Sequence, residues 1–288
     1  MKQYDLNQKK GGPTMTESIR KTSLFDTEAG PVCSIRLTNN TGDYIDLTNY
    51  GARLLDIFVH VPGGGMENIA PPCPEPTPDN LQSRQGNCLL GGTLGAALSH
   101  TVWDIVDTDQ TSIMLAAETE DRIKVGLHIT WVNLNRLILD YFVTPAESRE
   151  IRLQSSLELC SRPFELSCFC PEVNGVPAAD TAYADMAFQP MKNEAEADVF
   201  ADKNDAIKPL FELKDTASSL RVSLYSTQHR AKAWADADRV CLATFDPEAV
   251  SLPAGASLTE RVIYGIDHIT ANLASDENDP ESPFLGFF

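Results

Sequence analysis

Residues 123–131, Ile-Lys-Val-Gly-Leu-His-Ile-Thr-Trp, constrain the fold more than any other stretch of this chain. Every odd position is apolar, and the even ones are Lys124, Gly126, His128 and Thr130. Period two puts alternate side chains on opposite sides of an extended backbone, the pattern of a strand with one buried face. The same alternation recurs at Cys33, Ile35 and Leu37, at Ile45 and Leu47, and at Ile151, Leu153, Leu157 and Leu159. LILDYFV, LRVSLYS, RAKAW, VCLATF and SLTERVIYGI read as further strands, and LLDIFVHV, apolar on both sides, as a central one. Turn residues separate them, at Asn39-Asn40-Thr41-Gly42, at Pro62-Gly63-Gly64-Gly65 and at 133–136. Helical periodicity nowhere exceeds a turn or two. The chain is expected to be all-β.

With 288 residues and 42% hydrophobic content, it can bury a large core. Residues 21–274 are expected to form a single domain, after a polar leader over 1–20 and before a tail over 275–288. Residues 71–80 read as a proline-rich surface loop and 190–205 as an acidic, irregular excursion. A formal charge of −18 repels phosphate backbones and anionic membranes, and no basic stripe offsets it. No apolar run approaches the roughly 20 residues that span a bilayer. The leader lacks the apolar core of a signal peptide, so a cytoplasmic location is expected. The tail turns from acidic to aromatic and is a candidate contact for a protein partner. Seven cysteines fit no even disulfide framework, and Cys168 and Cys170 read as buried free thiols. No histidine pair or CxxC has metal-site spacing, so neither metal nor cofactor is expected.

One stretch looks like a site rather than a strand. In Asn87-Cys-Leu-Leu-Gly-Gly-Thr-Leu-Gly95, paired glycines allow a tight turn or a close approach, yet the residue just before them is Leu90. This segment, followed by Val102-Trp103, is similar to the N-x-L-H-G-G…W segment of the aldose 1-epimerase (galactose mutarotase-like) superfamily. LTNNTGDYIDLTNYGARLLDIFVHVPGGG resembles that family's first hairpin. GVPAADTAYADMAF resembles its Gly-Thr-Pro-x-Asp-Phe region, and VCLATFDPEAVSLPAGASLTERVIY its closing strands. The four matches run in consistent order from 34 to 264. The resemblance implies a large antiparallel β-sandwich, the mutarotase-like supersandwich, whose concave cleft binds a free aldose or a sugar phosphate in carbohydrate metabolism.

It also implies where proton-handling groups belong, and there the sequence departs. Leu90 stands at the family's histidine before the glycines, Ser156 at its second histidine and Ala243 at its carboxylate. Opening a sugar ring needs a base on the anomeric hydroxyl and an acid on the ring oxygen, each within hydrogen-bond reach. Leucine and alanine transfer no protons, and losing one such group costs about 10²–10⁴-fold. Isomerase activity is therefore doubtful, and a pseudoenzyme that still binds sugar is the first expectation. The alternatives are an active epimerase with relocated groups and a non-catalytic sensor or scaffold. Glu158 and His100 are the candidate replacement acid or base. Arg152 and Gln154, projecting from the polar face of the 151–159 strand, are candidate sugar-binding residues. Arg84 stands in for the family arginine and Asp185 for its Thr-Pro-x-Asp-Phe aspartate, while Trp103 is a candidate stacking surface, as is Trp234.

Overall fold

The alternation at 123–131 becomes the strand Ile123–Val132, with Val125, Leu127, Ile129 and Trp131 buried. It pairs antiparallel with Arg136–Pro145, placing Leu127 opposite Tyr141 and Ile129 opposite Leu139. Leu134 and Asn135 turn the chain between them with left-handed backbones, φ +59° and +48°. The computed structural model describes residues 20–71, 76–83, 87–191, 196–200, 207–245 and 248–268. Both the 275–288 tail and nearly all of the expected leader lie outside them.

Three antiparallel sheets carry most of the described chain. The largest has nine strands, in the order Gln189–Pro190, Phe164–Cys168, Lys208–Asp215, Leu220–Ser226, Leu258–His268, Arg136–Pro145, Ile123–Val132, Ser112–Glu118, Asp104–Thr108. A six-stranded sheet runs Leu153–Cys160, Arg239–Phe245, Arg230–Ala235, Glu196–Phe200, Glu172–Val173, Val176–Pro177. Arg20–Thr27 begins a five-stranded sheet that ends at Met66–Asn68. Inward residues of all three share one hydrophobic cluster, among them Ile35, Leu47, Leu127, Tyr141, Leu157 and Leu242. Two sheets facing one core make the all-β antiparallel sandwich expected from the alternation. Trp131 ties in the five-stranded sheet, its Nε1 donating to the Asp43 carbonyl at 2.9 Å.

Two local expectations need correction. The 190–205 excursion contains the strand Glu196–Phe200, seated inside the six-stranded sheet with Ala197 and Val199 buried. Period two is present there, but an alanine at a core position carries too weak an apolar signal to show it. The short helix Pro78–Ser83 begins inside the expected 71–80 loop, of which 72–75 lie outside the described residues. Cys168 and Cys170 are buried free thiols, as expected. Among the described residues no helix is long and apolar enough to cross a membrane.

Leu127→Ala removes a fully buried side chain from an interior strand of the largest sheet and is expected to cost about 2–5 kcal/mol. The exposed Lys124→Ala on the same strand is expected to stay within about 0.5 kcal/mol of the parent. Urea unfolding of the two variants checks the assigned faces.

Candidate functional site

The glycine turn docks by its main chain. Antiparallel bridges join Gly91 to Gln154 and Gly92 to Leu153, and another joins Cys88 to Arg53. Residues 88–92 thus cover the Leu153–Cys160 edge of the six-stranded sheet and reach the five-stranded sheet behind it. A Cβ on Gly92, whose φ is +70°, would lie 2.6 Å from the Arg152 carbonyl oxygen. One on Gly95, in the helix Gly92–Leu98, would lie 2.5 Å from the Leu90 carbonyl oxygen. Hydrogen bonds lock the docked segment. Ser156 Oγ donates to the Cys88 carbonyl at 3.2 Å, Asn87 Oδ1 accepts the Glu158 N–H at 2.9 Å, and the buried Tyr141 hydroxyl meets the Leu89 carbonyl. Leu90 itself is 1% exposed, inside the main core cluster. The glycines serve backbone approach, and the leucine packs.

The outward face of this sheet is assembled by register. Gln154, Ser156 and Glu158 lie opposite Phe245, Ala243 and Cys241. Those three in turn lie opposite Arg230, Lys232 and Trp234, and Glu196 is opposite Trp234. Paired residues point to the same face, so strands distant in sequence build one surface. An open cavity of about 340 Å³ lies on it, lined by Gln154, Glu196, Lys232, Trp234, Ala243 and Phe245. Lys232 Nζ stands 2.6 Å from Glu196 Oε1, and the Arg230 guanidinium sits 5.3 Å from the Phe245 ring centre.

Chemically, the cavity offers an amide, an ammonium and a carboxylate beside half-buried aromatic surface. That set can hydrogen-bond hydroxyls while packing against the apolar side of a small polar ring. Cys241 adds no nucleophile, since burial, and then the nearby Glu158 carboxylate, push its thiol far above the usual range. Among the described residues no group of three or more His, Cys, Asp or Glu is placed to hold a metal ion.

Solved structures share this architecture across most of the chain. A galactose 1-epimerase from Lactobacillus acidophilus superposes with a TM-score of 0.72 at 14% identity, covering 88% of this chain and 99% of its own. An aldose epimerase homologue from C. elegans gives 0.68 at 12% identity, covering 82% and 99%. A galactose mutarotase-like protein from Lactobacillus casei gives 0.56 at 10% identity, covering 81% and 100%. The chain has the galactose mutarotase-like fold. Neither a family model nor a curated protein sequence matches it.

Within this mutarotase-like frame the residues singled out from sequence separate sharply. Gln154 lines the cavity, and so does Ala243, with Ser156 directly across the ladder from it. Glu158 shares their face, but Arg239 Nη1 holds both its carboxylate oxygens at 3.1 Å, and it lies outside the cavity lining. The remaining candidates lie away from this cavity's lining or outside the described residues. Trp103 is a core residue whose Nε1 donates to the Leu98 carbonyl at 3.4 Å. His100 is exposed beyond the Gly92–Leu98 helix, its ring 6.3 Å from that of Tyr50, which packs in a separate small cluster with Leu55 and Leu81. Arg152 is exposed and lines no part of the cavity; its main-chain carbonyl lies under Gly92. Asp185 is exposed in a 3₁₀ turn with φ +53°, also away from the cavity lining. Arg84 lies outside the described residues.

Lys232 and Glu196 are additions to the sequence reading, in which Trp234 stands beside Trp103 as a stacking surface. The deciding signal was present in Arg-Ala-Lys-Ala-Trp-Ala, residues 230–235. Ala231, Ala233 and Ala235 are buried, so Lys232 and Trp234 must face outward.

The two glycines of the turn are expected to differ on substitution. Gly92→Ala meets a carbonyl at a left-handed backbone and is expected to cost about 1–3 kcal/mol in thermal unfolding. The atoms nearest to a Cβ on Gly91 belong to the Gln154 side chain, at 3.1–3.2 Å. Gly91→Ala is therefore expected to displace Gln154 in the cavity with a smaller loss of stability, which a melt and an amide NMR spectrum of the Gln154 side chain distinguish.

Proposed function

We propose that this chain binds a sugar in the cavity on the outward face of the six-stranded sheet, without the ring-opening chemistry of a mutarotase. One observation carries the reading. The cavity built by Gln154, Lys232, Glu196, Trp234 and Phe245 lies across the strand pair that holds Ser156 and Ala243. Those are the positions where the sequence resemblance puts an imidazole and a carboxylate. Hydroxyl-binding groups surround the place and proton-transfer groups are replaced within it. Leu90, buried under the turn, cannot be exchanged for a solvent-facing acid without opening the core.

A second reading, an epimerase with relocated acid and base, is favoured by the Lys232–Glu196 pair, which puts a proton donor and an acceptor 2.6 Å apart in the cavity. Trp234 is common to both, because an aromatic face contributes to holding a ring whether or not the ring opens.

Galactose or glucose at concentrations well above Kd is expected to raise Tm through linkage, and Trp234→Ala is expected to weaken binding about fivefold, near 1 kcal/mol. Polarimetry of fresh α-galactose and α-glucose is expected to show no acceleration. Acceleration abolished by Glu196→Gln would replace this reading with the second one, and absence of any sugar-dependent Tm shift would remove both.

A further inference from the structure

We infer that the ligand is longer than one sugar ring, and that a second cavity beside the first takes a further uncharged ring, making the ligand class a disaccharide or glycoside. This rests on the sugar-binding reading above and extends the same face. The second cavity, about 430 Å³, is lined by Glu172, Asn174, Asp198 and Arg230 among others, and Glu196 lines both. The two spaces therefore meet at one carboxylate.

Strand spacing rules out a single ring for the whole surface. Gln154 stands on the first strand of the sheet and Glu172 on the fifth, with three strands between them. At about 4.8 Å per neighbour the two ends are about 19 Å apart. A six-membered ring, only a few bonds of about 1.5 Å across, cannot meet both. Two linked rings reach about twice as far as one, which lets one lie against Trp234 and Phe245 in the first cavity and the other toward Asn174 and Arg230 in the adjoining one.

The groups of the second cavity also select the charge of what enters. Arg230 grips Asp198 through Nε at 2.7 Å and through its second nitrogen, while Lys232 holds Glu196. Among the described residues, each cation of the two linings is thus matched by a carboxylate, and Glu172 adds a further negative group. An anionic sugar would meet net negative charge and would have to displace an existing partner. Hydroxyls, by contrast, bond such pairs at their edges without displacing them. Asn174 adds an oriented donor. Its Oδ1 accepts the Asp198 N–H at 2.8 Å and its main-chain N–H donates back to the Asp198 carbonyl at 2.7 Å, which aims the Nδ2 hydrogens away from the ladder.

The test is calorimetric titration of the full chain with galactose and glucose against lactose, maltose and cellobiose. At least one disaccharide is expected to bind about tenfold or more tighter than either hexose. Asn174→Asp keeps the Oδ acceptor that the turn uses but removes the Nδ2 donors. It is expected to weaken that disaccharide about fivefold while leaving hexose binding within twofold. Hexoses binding as tightly as disaccharides, or Asn174→Asp weakening both alike, overturns the second subsite and leaves the sugar-binding reading standing. Binding of none of the five sugars overturns both.

Discussion

Main-chain contact between residues 91–92 and the Leu153–Cys160 strand sets the position of everything on the candidate face. An uncovered strand edge exposes unpaired N–H and C=O groups, and this one is covered by a segment that must come closer than any side chain permits. Gly91 and Gly92 supply that approach. Asn87, Ser156 and Tyr141 then fix the segment from three directions, two of them through residues of the covered strand itself. Because Gln154 and Ser156 belong to the same strand, the turn and the cavity wall form one rigid unit. A motif that reads as a presenting loop is a clamp behind the site.

That arrangement leaves the outward face free to vary without disturbing the packed layer. In an antiparallel ladder the alternate residues of each strand are free to vary on the outward side so long as the inward ones pack. Gln154, Lys232 and Trp234 sit at such positions with buried neighbours on either side in sequence, and Glu196 precedes the buried Ala197. Leu90 is different. It belongs to the packed layer, and its carbonyl lies directly against the Gly92–Leu98 helix. The packed turn at Leu90 and the outward face that carries Gln154, Ser156 and Ala243 therefore depend on separate parts of the fold.

Most of the sandwich was legible because strong alternation leaves few alternatives, as at 123–131, where every apolar residue is buried. Legibility failed where the inward residues are small. Glu196-Ala-Asp-Val-Phe and Arg-Ala-Lys-Ala-Trp-Ala keep period two, yet alanine contributes little apolar contrast, so charged outward residues dominate the impression. These two strands supply half of the cavity lining. Tryptophan misleads for the converse reason. Trp103 follows an isolated bridge at Val102 and plunges into the core, whereas Trp234 alternates with buried alanines and cannot. His100 and Asp185 matched by neighbourhood in sequence, but a helix and a left-handed turn carry them away from the ladder.

Stability alone gives no reason for the paired charges on this face. Lys232–Glu196 and Arg230–Asp198 are partly exposed, with side chains between 22% and 54% accessible, and such pairs contribute only about 0–1 kcal/mol each. Apolar residues at the same positions would leave the ladder intact but present a dry, sticky surface beside Trp234 and Phe245. Paired charges keep that surface wetted while holding donors and acceptors in fixed directions. The balance matters in a chain whose formal charge is −18. Its long-range field disfavours anions before they arrive, and among the described residues the local pairing leaves no free cation in the linings to recover them. On the sugar-binding reading proposed above, both scales favour an uncharged molecule rich in hydroxyls, with enough apolar face to cover two aromatic rings.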